Sequence, residues 1–165
     1  MVQTISALVE NKPGVLAKMA EAFSSQDLNI KSISCGETEK PEISRMVICI
    51  DSGEIETEGE KSITNVTEFI GSLDFVISVD DLARKEFVDR ELALIKVDME
   101  PETTAQLMQI FEIFRADVVG MGNTTITAEI TGDKDRVDGL IKMLTPFGIK
   151  SMCRTGMIAL KRGDE

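Results

Sequence analysis

The sequence predicts an α+β chain built from two tandem ferredoxin-like βαββαβ domains, the first over residues 1–80 and the second over 81–165. Three observations carry that expectation. Apolar residues switch between a period of two and a period near 3.6 in the order strand, helix, strand, strand, helix, strand. The same order recurs after the charged stretch Asp80–Arg90. Each half is about 80 residues long, the length of one split βαβ unit.

In the first half, residues 2–9 read as a strand, and Leu16, Met19, Ala20 and Phe23 recur at helical spacing. A second strand is expected at about 28–37, with Leu28 and Ile30 on one face, and a third at about 43–51, where Met46, Ile48 and Ile50 alternate with Val47 and Cys49. Asp51–Glu60 gathers five acidic residues and two glycines and reads as a solvated loop without the ligand spacing of a calcium loop. A helix at about 61–72 carries Ile63, Val66, Phe69 and Ile70, and a strand at about 74–81 closes the unit. In the second half, 92–97 is a strand, and Pro101 starts a helix with Leu107, Ile110, Phe111 and Phe114 on one stripe. Strands at about 117–120 and 125–131 meet at the hairpin turn Gly120–Asn123. Asp133 caps a helix bearing Val137, Leu140, Ile141 and Leu144, which Pro146 and Gly148 end, and a last strand is expected at about 149–160. Apolar residues on both parities of the third strand imply that the sheet's second face or its edge is covered by another domain or another chain.

Composition excludes several function classes. Acidic residues outnumber basic ones 29 to 18, for a net charge of −11, and Trp and Tyr are absent, which disfavours nucleic acid. There is no His, the commonest general base and metal ligand. Cys35, Cys49 and Cys153 are odd in number and lack C-x-x-C spacing, so they fit neither a disulfide framework nor a zinc site. No phosphate loop, H-E-x-x-H or G-x-S-x-G motif occurs. The opening residues lack a signal peptide's basic region and apolar core, and no apolar run approaches the roughly 20 residues of a membrane span, so a cytoplasmic protein is expected.

The turn Glu10-Asn11-Lys12-Pro13-Gly14-Val15 joins the first strand to the first helix. It reads as ordinary turn chemistry and equally as a receptor for a free α-amino acid. In the second reading Asn11 offers its amide, Gly14 and Val15 present helix-start N–H groups to a carboxylate, and Gly14 allows close approach because it has no Cβ. Asn29 supplies a second amide at the same end of the sheet, and an aliphatic ligand rests on Leu16, Ile30 and Ile33. The second half has Met99-Glu100-Pro101-Glu102 in this place, where negative charge opposes a carboxylate.

Glu10–Leu16, with Phe23-Ser24 and Leu28-Asn29-Ile30, resembles the start of an ACT domain, the amino-acid-sensing version of this fold. Ser44-Arg45-Met46, Arg90–Val97, Ile113–Ala116 and Thr155–Gly163 resemble the small subunit of acetolactate synthase (acetohydroxyacid synthase), and the resemblance covers essentially the whole chain. It implies a non-catalytic regulator of branched-chain amino-acid biosynthesis. Its partner would be a large subunit carrying thiamine diphosphate, FAD and magnesium, which it activates and makes sensitive to valine. It also implies a homodimer through the ACT domains, with the effector at their interface: Asn11, Gly14, Val15 and Leu16 from one protomer, Asn29 and Ile30 from the other. A free-standing ACT sensor for another enzyme is the alternative. An acyl-phosphate hydrolase on this fold would need an Arg in a phosphate-cradling loop, and the first turn has only Lys12.

Overall fold

A computed structural model describes residues 2–51, 63–82 and 86–163; most of the acidic stretch Asp51–Glu60 and the first residues expected in the second helix lie outside them. The chain forms two compact units, one comprising Met1–Val88 and Met157–Glu165, the other Asp89–Gly156.

In the first unit, β1 (Val2–Glu10), β2 (Asn29–Glu37), β3 (Ile43–Asp51) and β4 (Val76–Asp81) form an antiparallel sheet in the order β2-β3-β1-β4. The period-two alternation sends Ile5, Ala7 and Val9 of β1 and Met46, Ile48 and Ile50 of β3 to one face. There they pack against Val15, Met19 and Phe23 of α1 (Val15–Ser25) and Val66 and Ile70 of α2 (Ile63–Gly71). The buried stripe of α1 is rotated from the expected one: Leu16 and Ala20 face outward while Val15 and Ala22 are buried.

Part of the opposite face is covered by the chain's own tail. Val47 on β3 packs with Leu82, Ala159, Phe87 and Met157, and Ser34 Oγ donates to the Met157 carbonyl at 2.8 Å. The single strand expected over 149–160 is therefore two, β8 (Ile149–Arg154) and β9 (Ile158–Lys161). Gly156, at φ 80°, turns the chain between them. β9 pairs with β5 (Phe87–Asp98), and Arg162 N donates to the Glu86 carbonyl at 3.0 Å. One expectation changes with this: the charged link Asp80–Arg90 is partly strand, since β4 reaches Asp81 and β5 begins at Phe87.

In the second unit, β6 (Asp117–Met121), β7 (Thr125–Gly132), β5 and β8 follow the order β6-β7-β5-β8, with α3 (Thr104–Phe114) and α4 (Lys134–Leu144) over one face. Ala93, Ile95, Val97, Ile126, Ala128 and Ile130 meet Leu107, Phe111, Val137, Leu140 and Leu144 there. Asp133 caps α4, accepting from Arg136 N at 2.8 Å. α3 begins at Thr104 rather than Pro101, because the Glu100 carbonyl first closes a turn onto Thr103 and Thr104. The two βαββαβ units are thus present in tandem, each complete, and β9 is a further strand paired with β5.

Candidate functional site

The strand-to-helix turn of the first unit is held from both sides by backbone. Glu10 N donates to the Phe75 carbonyl at 3.0 Å and Asn11 N to the Glu42 carbonyl at 2.8 Å. Asn11 spends both side-chain N–H groups on the β2–β3 hairpin, reaching Glu37 Oε1 at 3.1 Å and the Pro41 carbonyl at 2.8 Å. Only its Oδ1 remains for a further donor.

Gly14 is the helix N-cap at φ 87°, ψ −12°, with no side chain capping it. A glycine is favoured there because this left-handed backbone costs other residues about 1–2 kcal/mol. Nothing lies within 4 Å of where a Cβ would stand, so the space over the turn is open. Val15 N reaches the Lys12 carbonyl at 3.3 Å and Lys18 N the Gly14 carbonyl at 3.0 Å. The N–H groups of Leu16 and Ala17 have no carbonyl one turn earlier within the helix to accept them, which is the property of every helix start. The arrangement presents free donors and the positive end of a helix dipole at an uncrowded surface. Val15 is 6% exposed and belongs to the core, whereas Leu16, at 49%, offers its side chain outward.

Asn29 and Ile30 lie elsewhere. Asn29 pairs with Asp51, which also pairs with Val2, whereas Glu37 pairs with Ser44, level with Val9. Asn29 is therefore at the opposite end of the sheet from Asn11, whose N–H meets Glu42, roughly 30 Å away along β3 at strand rise. The expectation that the two amides share one end of the sheet is corrected within a single chain: two antiparallel pairings separate them. Ile30 is half-buried against the first core, and Ile33 packs there as well. The residue that does stand beside Asn11 is Glu37, which sequence reasoning passed over. Counting the ladder inward from the β2–β3 hairpin would have found it.

The second unit repeats the backbone clamps. Asp98 N donates to the Gly148 carbonyl at 3.0 Å and Met99 N to the Thr124 carbonyl at 2.8 Å. Its helix is preceded by a tight turn. The Glu100 carbonyl accepts from Thr103 N and Thr104 N, both at 3.0 Å, and from the Thr104 hydroxyl at 2.7 Å. Among the described residues no group of three His, Cys, Asp or Glu side chains could hold a metal ion, and no helix is long and apolar enough to cross a membrane.

Comparison with known proteins bears on both units. A family profile described as an AHAS small subunit-like ACT domain matches residues 5–78, and one described as the small subunit of acetolactate synthase matches 90–163. The acetolactate synthase small subunit of Bacillus subtilis is 35% identical over 165 residues, spanning 100% of this chain and 93% of that protein. That of Mycobacterium leprae is 38% identical over 160 residues, spanning 97% and 91%. The crystal structure of the acetolactate synthase small subunit from Thermotoga maritima matches with a TM-score of 0.81 at 33% identity, over 100% of this chain and 99% of that one.

Proposed function

Because the chain belongs to the family of acetolactate synthase small subunits, we propose that it is the regulatory partner of a thiamine-diphosphate-dependent large subunit, which it activates and renders sensitive to valine. The large subunit would hold thiamine diphosphate, FAD and magnesium. This chain would contribute the sensor, formed where two first units pair in a homodimer.

The observation that carries the reading is the place of Asn29 on an edge strand, at the far end of the sheet from Asn11. β2 is the outermost strand of its sheet, and its midpoint is Ile33. Antiparallel pairing of β2 with its copy about Ile33 sets Asn29 of one protomer opposite Glu37 of the other, and Glu37 is bonded to Asn11. Two half-sites roughly 30 Å apart in one chain at strand rise thus become one site in a pair. The amino acid's carboxylate meets the Leu16 and Ala17 N–H groups, its ammonium faces Glu37, and its side chain rests on Leu16 and the partner's Ile30. Valine bound there shifts the complex between activating and inhibiting arrangements only as far as it binds one better than the other.

The test is reconstitution with the large subunit, titrating valine, leucine and isoleucine against acetolactate formation. Activation with inhibition by valine is expected. A chain carrying Gly14→Asp mixed with one carrying Asn29→Asp should recover valine binding at one site in the mixed pair, while each variant alone binds none. Failure of the mixture to recover any site would overturn the shared-site reading.

A further inference from the structure

We propose that the first unit holds a second ligand site, for a small organic dianion bearing an alkyl chain, in the cleft between the open face of its sheet and the C-terminal strand. The cleft has a volume of about 510 Å³, within the ordinary range of roughly 300–1,000 Å³ for small-molecule sites. One chain builds it entirely. Leu8 of β1, Ile43 of β3 and Leu160 of β9 form apolar walls, while Arg45, Lys40 and Lys161 bring cations from the sheet, the β2–β3 hairpin and the tail.

Two features point to an anion. The chain carries a net charge of −11, yet three cations converge here against the single carboxylate of Glu39. Among the described residues none of the three has an ion-pair partner, whereas Lys12 is bridged to Glu10 at 3.0 Å and Lys31 to Asp51 at 2.7 Å. Arg45 is also oriented: its Nη1 donates to Ser6 Oγ at 3.1 Å, which leaves the rest of its planar fork free for a carboxylate or phosphate. An excess of two positive charges matches a dianion better than a monocarboxylate. The walls explain the alkyl part, since Leu160 is left 58% exposed and gains cover only from an occupant. This site is separate from the Asn11–Gly14 turn, although the hairpin that holds Asn11 also supplies Lys40.

The two sources of such chemistry, an alkyl phosphate and an alkyl dicarboxylate, can be separated by titrating the full-length protein, followed by amide NMR. Butyl phosphate and glutarate are the probes, with inorganic phosphate and butyrate as controls. At least one probe should saturate with shifts at Leu8, Thr38 and Lys161, and both controls should bind at least about tenfold more weakly. Arg45→Met and Lys161→Gln should each weaken the better probe by about tenfold, with valine affinity unchanged in Lys161→Gln. If neither probe saturates below about 50 mM, or if both variants bind as the parent does, the proposal is overturned. Loss of valine binding in Lys161→Gln would likewise overturn it, by merging the cleft with the effector site.

Discussion

The two strand-to-helix turns of this chain use the same backbone clamps, neither helix has a side-chain cap, and they differ in the residues that start the helix. In the first, Gly14 starts α1 with no side-chain cap, so the following N–H groups face an open surface. In the second, the Glu100 carbonyl gathers the N–H groups and hydroxyls of Thr103 and Thr104 into a closed turn. The difference between the copies lies in a handful of residues: a glycine at positive φ with nothing within 4 Å of a Cβ in one, and Glu100, Thr103 and Thr104 bonded into a turn in the other. The second unit is self-satisfied elsewhere too: Arg154 grips Glu91 through two bonds of 2.7 and 2.6 Å and reaches Asp138 at 2.8 Å.

That closure sets the largest expected effect. Glu91 is only 7% exposed, and its two hydrogen bonds hold Arg154 well above the ordinary arginine range. Arg154→Met strands a buried carboxylate and should cost the second unit about 3 kcal/mol, read from urea denaturation. Adding Glu91→Gln should return part of it, and no recovery would mean that packing rather than charge is responsible.

Next comes the pair of turns themselves. Gly14→Asp has room to fold, because nothing stands within 4 Å of the new Cβ, and Asp tolerates positive φ better than most residues. It should weaken valine binding by about 100-fold, some 2.7 kcal/mol, by steric block and charge repulsion. Glu102→Gly should leave valine affinity as it is. A calorimetric loss in Glu102→Gly equal to that in Gly14→Asp would erase the distinction between the turns.

The caps differ in a smaller way. Asp133→Ala removes a side-chain cap that α1 never had and should cost about 1 kcal/mol. Thermal unfolding that does not shift would mean that α4 is held by packing alone.

The smallest effect is a pH dependence. Burial pulls the Asp138 carboxyl upward, but hydrogen bonds from Lys134 and Arg154 and their charges hold it below its ordinary 3.8. A carboxylate with a lowered folded pKa stabilises the protein above its unfolded value and loses that contribution as pH falls through the folded one. The second unit should therefore weaken below about pH 4, and Asp138→Asn should flatten that limb of stability against pH.

Much of this was legible in the residues. Alternation and helical spacing located the repeat, the Gly120–Asn123 hairpin and the Asp133 cap, because each depends on neighbours a few positions away. The candidate turn was legible for the same reason: Asn11, Gly14 and Leu16 lie within one stretch. What could not be read depends on long-range pairing. Asn29 falls at the far end of the sheet only because β3 lies between β1 and β2, antiparallel to both. Val47 and Cys49 showed that the second face needed cover, but nothing local to them names Met157 and Ala159 as the cover. Pro101 suggested an earlier start for α3, and a carbonyl one residue before it decided otherwise.

The tail's return has a consequence for synthesis. Residues 89–156 are an insertion between the body of the first unit and its final strand, so the ribosome finishes the second unit before the first. Until Met157 and Ala159 emerge and dock, Val47 lacks its lid. The domain that begins the chain is the last to be sealed.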